Sequence, residues 1–204
     1  MPKSTTPWTT GEPTTSAFAL PGGLTGWLAG RIMLLTNKQR DLVDLLDTRD
    51  TDRVLEVGYG PGGLIRQLRS TPAATICGVD PSPQMCDLAV RRHRADIAAG
   101  RIDLRLGTAA DTGFGDAEFD RVVSVNNVAI WPDLEAGLDE LQRVTRPRGR
   151  LILGWHGGSH PNRISRSLAL RSDSITRIEN GLRERFVEVA RRELSDLTVW
   201  IATR

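Results

Sequence analysis

Glu56-Val57-Gly58-Tyr59-Gly60-Pro61-Gly62-Gly63 sets glycine at every other position directly behind the apolar run that begins at Val54. Glycine lets a backbone bend sharply and lets a ligand approach closer than any Cβ would permit. The next residues, Leu64-Ile65-Arg66-Gln67-Leu68, have helical character, so the loop opens onto a helix start whose free N–H groups face whatever is bound. The chemistry this predicts is capture of a nucleotide-type cofactor. Gly58, Gly60 and Gly63 satisfy the dinucleotide pattern G-x-G-x-x-G, while Glu56, Gly58, Gly60 and Gly62 satisfy E-x-G-x-G-x-G. Spacing leaves both patterns open.

Further polar residues fall where apolar runs end. Asp80 closes Thr75-Ile76-Cys77-Gly78-Val79, 22 residues beyond Gly58, the separation at which a carboxylate on the next parallel strand reaches a pair of ribose hydroxyls. Such a carboxylate is an oriented, charge-assisted acceptor. Ser82 and Pro83 supply an N-cap and a first helical position behind it. Asn126 and Asn127 end the run Phe119–Val125, and ligand crevices in doubly wound sheets lie beyond the strand ends near the reversal of strand order. His156 follows the run Leu151–Leu153 and is a candidate general base, since imidazole titrates close to operating pH. His156 and His160 without a neighbouring Cys or acid make no metal site, and none is expected.

These groups need strands to carry them and helices to cover the strands. Apolar runs at 54–57, 75–79, 102–106, 119–125 and 151–153 alternate with helical stretches, among them Leu134–Val144 and 164–181, and Phe186–Arg192 and Leu197–Thr203 read as a closing hairpin. Ahead of the first strand, residues 1–23 are rich in Thr, Pro, Gly and Ser and are expected to be mobile alone, whereas 24–46 carries apolar residues at helical spacing. We expect residues 1–46 to be a flexible segment and helical cap, with 8–37 a lid over the site, and residues 47–204 to form the catalytic domain.

Composition narrows the partners. The chain has 204 residues and a formal net charge of +2, with basic residues scattered, so no nucleic-acid partner is expected; Arg91-Arg92-His93-Arg94 reads as a solvated helix face. No apolar run approaches the ~18 residues of a membrane span, and the N-terminal region does not read as a signal peptide. Two cysteines, Cys77 and Cys86, form neither a disulfide framework nor a metal motif, which points to the cytoplasm.

Beyond the E-x-G-x-G-x-G loop, Asp80-Pro81-Ser82-Pro83-Gln84-Met85 matches D-x-S-x-x-M, Gly107-Thr108-Ala109-Ala110-Asp111 resembles G-D-A-x-x with Thr108 in place of the acid, and Leu138–Leu151 reads L-x-E-L-x-R-V-x-R-P-x-G-x-L with Arg148 where glycine is common. Together they span Val54 to Leu153 in one order, and in that order they resemble the class I S-adenosylmethionine-dependent methyltransferases, of the small-molecule type that includes quinone-biosynthesis enzymes. The resemblance implies an α/β fold: a doubly wound, seven-stranded, mostly parallel, Rossmann-like sheet ending in an antiparallel hairpin. It implies a cofactor site of Glu56, Gly58, Tyr59, Gly60, Gly62, Asp80, Pro81, Met85, Thr108, Ala109 and Asn126, with Met85 on the adenine face and Thr108 or Asp111 at its edge. Tyr59 and Trp131 are candidates to face the sulfonium, and His156 and Asn127 to act on the acceptor. The implied activity is transfer of the cofactor's methyl group to an O, N or C atom of a small molecule, giving S-adenosylhomocysteine. The alternative is a protein that binds S-adenosylmethionine without methyl transfer, such as a cyclase, scaffold or regulator. The strand end Ser124-Val125-Asn126-Asn127-Val128 lacks the [DN]-P-P-[YF] of enzymes that methylate nucleobase amines.

Overall fold

The computed structural model describes residues 6–12 and 40–204. Helix α1 (Arg40–Leu46) precedes strand β1 (Arg53–Val57); α2 (Gly63–Leu68), β2 (Thr75–Asp80), α3 (Pro83–Ala98), β3 (Ile102–Leu106) and β4 (Phe119–Val125) follow. A single 3-10 turn (Val128–Ile130) then leads into α4 (Leu134–Val144), β5 (Thr145–His156), α5 (Arg163–Ser167), α6 (Ser172–Arg183), β6 (Glu188–Glu193) and β7 (Leu197–Thr203).

The strands form one sheet in the order β3-β2-β1-β4-β5-β7-β6. Strands β1 to β5 pair in parallel, and β7 runs antiparallel between β5 and β6. The reversal of strand order therefore lies between β1 and β4. β1 and β2 are buried along nearly their whole lengths, which is why each is dominated by apolar residues, with Glu56 the buried exception inside β1, whereas the edge strand β3 is buried only at its start.

Helices cover both faces. Alternate residues of the central strands, Leu55, Val57, Cys77, Val79, Val122, Leu151, Leu153 and Trp155, meet α4 and α6 through Leu138, Leu141, Ile178 and Leu182. The others, Val54, Ile76, Val123 and Ile152, meet α1, α2 and α3 through Leu42, Leu46, Leu64, Ile65 and Ala89. Among the described residues no helix is long and apolar enough to cross a membrane.

Three features depart from the sequence reading. β5 starts at Thr145, six residues early, because Thr145 pairs with Phe119 before the register jumps to Arg150 opposite Arg121. The stretch 164–181 breaks into α5 and α6, and the indole of Trp155 donates to the Leu168 carbonyl inside the break (2.8 Å). Within the segment expected to be mobile, Trp8 is anchored: its backbone N–H donates to Trp131 O (3.0 Å) and its Nε1 to Val128 O (2.6 Å), while Thr9 Oγ1 donates to Ala129 O (2.8 Å). Of the expected helical cap only α1 lies within the described residues, and the remainder of the expected lid lies outside them.

Candidate functional site

The loop between β1 and α2 is held open by backbone conformations that favour glycine. Gly58, Gly60 and Gly62 have φ of 78°, 53° and 81°. A Cβ on Gly58 would lie 2.4 Å from the Asn127 side chain, so the loop and the end of β4 touch at a distance only glycine allows.

The same loop is tied to β2. Gly58 N–H donates to Val79 O (2.7 Å) and Gly60 N–H to Asp80 Oδ2 (2.8 Å). The other oxygen of Asp80 accepts from Ser82 N–H (2.9 Å), and the helix behind is capped by Ser82, whose Oγ accepts from Met85 N–H (3.4 Å). Asp80 thus joins the glycine loop to the start of α3 and is not the helix cap itself. Gly107 N–H donates to Asp80 O (3.2 Å), which draws the turn Thr108–Asp111 to the same strand end.

Two carboxyls share this face. Glu56 and Asp80 sit at alternating positions with Val54 and Ile76 on the α2 and α3 side of the sheet. Burial, then the neighbouring Asp80 charge, pushes the Glu56 carboxyl up to about 8, against a bond from the Ile65 N–H of α2. Burial raises Asp80 only to about 6, because the Ser82 and Gly60 N–H groups stabilise its charge. At neutral pH the pair therefore holds one proton, on Glu56, and one charge, on Asp80.

The two asparagines divide their work. Asn127 Nδ2 donates to Val125 O (2.7 Å), Gly58 O (3.1 Å) and Val57 O (3.3 Å), and Ser124 Oγ donates to Val57 O (2.8 Å), so Asn127 is a clip between β1 and β4. Asn126 adopts the left-handed region at φ 58°, and its Oδ1 is buried with no partner among the described residues. Glu56 Oε2 is likewise buried without a partner. A buried polar atom in that state costs stability unless a ligand satisfies it.

The remaining expected residues are placed as follows. The Tyr59 ring is buried; a Cβ on Gly78 would come within 2.6 Å of it, and its hydroxyl donates to Arg105 O (3.2 Å), so only its backbone belongs to the loop. Trp131 packs in the core, where Gly137 gives it room. Met85 is fully buried, Ala109 is buried, and Pro81 and Thr108 are exposed at the ends of β2 and β3. His156 ends β5, half-buried, with Nδ1 3.4 Å from Ser165 Oγ.

One contributor was hidden in the sequence. His93 is buried, its Nε2 lies 3.2 Å from Gly62 O, and Arg92 NH1 donates to Pro61 O (2.9 Å), so both residues brace the glycine loop from α3. The signal for His93 is the stripe Met85, Ala89 and His93, one helical face at steps of four.

Taken together, the donor set fits a ribosyl-bearing cofactor: an ionised carboxylate at the end of β2, a glycine cradle at a helix start, and two unpartnered acceptors, Glu56 Oε2 and Asn126 Oδ1, suited to donors such as an ammonium group.

The comparisons with known proteins agree. Residues 54–149 match the family described as "Methyltransferase domain". The uncharacterised methyltransferase YdaC of Bacillus subtilis is 31% identical over 129 residues, covering 62% of this chain and 69% of YdaC. Nocamycin O-methyltransferase of Saccharothrix syringae is 34% identical over 116 residues, or 56% of this chain, and the chain spans only 41% of that protein's length. Among solved structures, one from Methanococcus maripaludis described as an S-adenosyl-L-methionine-dependent methyltransferase superposes with a TM-score of 0.71 over 87% of this chain and 92% of its own, at 16% identity. That last likeness concerns the fold.

Proposed function

We propose, because the chain belongs to the class I S-adenosylmethionine-dependent methyltransferases, that it transfers the cofactor's methyl group to an O, N or C atom of a small molecule. The observation that carries this reading is the bond from Gly60 N–H to Asp80 Oδ2, which joins the glycine loop and the strand-end carboxylate beside the order reversal of the sheet. S-adenosylmethionine, when bound, supplies an activated methyl electrophile, so the protein's task is to align donor and acceptor and exclude water.

In this reading the residues have separate tasks. Asp80 holds the ribose hydroxyls, Glu56 and Asn126 take the amino-acid end, and Gly58 to Gly62 line it with backbone. Pro81, Met85, Thr108 and Ala109 shape the adenine end. Asn127 and His93 hold the loop in register. O-methyltransferases among the relatives, nocamycin O-methyltransferase one of them, favour oxygen as the acceptor atom.

Titration calorimetry with S-adenosylmethionine, S-adenosylhomocysteine and NADH tests the reading. Micromolar binding of both sulfur compounds and none of NADH is expected, followed by label transfer from S-adenosyl-[methyl-3H]methionine to members of a panel of phenols, amines and indoles. Binding without transfer to any acceptor would favour a non-transferring role, and NADH binding alone would overturn the assignment.

A further inference from the structure

Trp8 is joined to the glycine loop through one short turn. The described N-terminal residues 6–12 fold back on themselves, with Thr10 and Gly11 N–H both donating to Pro7 O (3.2 and 2.9 Å), and this strap lies on the 3-10 turn Val128–Ile130. Trp8 N–H donates to Trp131 O (3.0 Å), Trp8 Nε1 to Val128 O (2.6 Å) and Thr9 Oγ1 to Ala129 O (2.8 Å), so the strap takes three carbonyls of the turn and its end. The Trp8 ring packs against the core on the α4 and α6 face. Arg177 of α6 places its guanidinium 5.0 Å from the ring centroid and pairs with Glu135 of α4 (3.5 Å), which ties the strap to both helices.

The near end of the turn is the candidate site. Ile130 N–H donates to Asn127 O (2.9 Å), and Asn126 N–H donates to Gly154 O (2.8 Å). Asn127 Nδ2 donates to Gly58 O (3.1 Å), and a Cβ on Gly58 would lie 2.4 Å from the Asn127 side chain, so the turn and the glycine loop meet without slack. Asn126 sits at this junction at φ 58°, a conformation that persists in a residue other than glycine where the surroundings fix it, and its buried Oδ1 has no partner among the described residues. A contiguous set of bonds therefore runs from Trp8 and Thr9 through residues 127–131 to Gly58.

Resting on the methyltransferase reading, we propose that Trp8 and Thr9 are positioning residues for the cofactor: the docked strap holds the 128–131 turn, and through it Asn126 and Asn127, in the form that receives the cofactor's amino-acid end. Two states are involved. In the docked state the three carbonyls are taken by the strap; in the undocked state they turn to water, the turn loses its outer support and the Asn126 backbone relaxes. Three hydrogen bonds and one half-buried ring make a dock that opens separately from the core. A cofactor that binds the docked state better strengthens docking by the same factor by which docking strengthens its binding.

That reciprocity gives two measurements, neither of which requires a known acceptor. Trp8→Ala should lower calorimetric affinity for S-adenosylhomocysteine about tenfold, within the usual span of coupling between sites. Thr9→Val, which loses only the bond to Ala129 O, should lower it by a smaller factor, with circular dichroism showing both variants folded. In the parent protein, saturating S-adenosylhomocysteine should slow hydrogen exchange of the Trp8 amide and indole protons, followed by NMR, by about the same tenfold factor. A strap that merely covers apolar surface would leave that exchange rate unmoved. Unchanged affinity in both variants, or exchange at Trp8 that S-adenosylhomocysteine does not slow, would overturn the proposal, and the second result needs no variant. Absence of S-adenosylhomocysteine binding to the parent would overturn the methyltransferase reading, and this proposal with it.

Discussion

The His93 imidazole meets the Gly62 carbonyl with Nε2 3.2 Å from the oxygen, and a Cβ on Gly62 would come within 2.9 Å of the same nitrogen. A carbonyl can only accept, so Nε2 carries the proton and the buried Nδ1 is left with a lone pair and no partner among the described residues. The imidazole lies where α3 departs from helical geometry, at φ −105° and ψ 15°. The helix bends, and the ring reaches behind the glycine loop.

Burial of this ring in its neutral form makes stability depend on pH. Burial lowers the His93 pKa below its ordinary 6.5, against the bond to Gly62. Its stabilising effect is therefore complete above the unfolded value and is lost as pH falls below about 6.5. Urea unfolding between pH 7.5 and 5 should show this loss, and His93→Gln, which keeps a donor and does not titrate, should reduce it. An identical pH dependence in the variant would assign the loss to other groups.

Gly62→Ala attacks the same contact from the other side. At φ 81° a side chain costs ~1–2 kcal/mol before any crowding by His93. Affinity for S-adenosylhomocysteine should fall at least about tenfold; unchanged calorimetric affinity would show that the loop's shape does not control binding.

Glu56 and Asp80 predict a proton released on binding. The Glu56 carboxyl at about 8 holds its proton at pH 7. S-adenosylmethionine carries a net positive charge, and a cation beside the pair favours the ionised carboxylate. Binding at pH 7 should expel close to one proton, read as the slope of calorimetric enthalpy against buffer ionisation enthalpy, and Glu56→Gln should bring the slope to zero. A zero slope in the parent protein would mean that Glu56 does not meet the cofactor's positive end.

How much of this was legible in the sequence varied with the physical signal. β1, β2 and β4 are rich in buried apolar residues because both faces are covered, and β3 and α4 appear at their full lengths from alternation and from helical spacing respectively. Asp80 was legible because its spacing from Gly58 reflects the length of a strand, a turn and a helix. His93 was not, because Arg91, Arg92 and Arg94 around it are exposed and mask its place on the Met85 and Ala89 stripe. Trp8 was not, because a dock built on the carbonyls of residues 128, 129 and 131 leaves no local pattern.

The segment Leu138–Leu151, matched as a motif, has a mechanical explanation. Glu140 accepts from Thr112 N–H (2.9 Å) and Oγ1 (2.5 Å) and from Arg143 Nε (2.7 Å), while Arg143 NH2 donates to Phe114 O (2.7 Å). These two side chains clamp the loop that follows Thr108. Burial opposes the Glu140 charge, but the bonds from Arg143 and Thr112 outweigh it and hold the carboxyl below its usual range. Its contribution is present above the unfolded value and lost as pH falls. Glu140→Gln should cost about 1.5–3 kcal/mol at pH 7 in urea unfolding, with a smaller difference at pH 4. An equal difference at both values would mean that charge is not what holds the loop.

Arg148, where relatives commonly carry glycine by the motif, sits at φ 64°, in the left-handed region. It lies within a stretch where Asp120 of β4 stands opposite residues 146–149 of β5, and Arg146 bridges the gap by pairing with Asp120 (2.7 Å). Pro147 and the backward bend at Arg148 take up the extra length, and Arg148 N–H donates to Arg204 O (2.6 Å). What the position requires is a backbone shape, and the exposed guanidinium contributes nothing to it. Arg148→Gly should relieve ~1–2 kcal/mol of strain and return ~0.5–1 kcal/mol to chain entropy, a net gain of about 0.5–1 kcal/mol. The melting temperature should rise by about 1–4 °C for a chain of this size. Its neighbour should respond in the opposite sense: a Cβ on Gly149 would stand 2.8 Å from Arg146 O and 2.8 Å from Thr145 Cγ2, so Gly149→Ala should lower the melting temperature. Melting curves of the two variants side by side decide the matter, and a fall in both would mean that the Arg148 side chain itself holds the bulge.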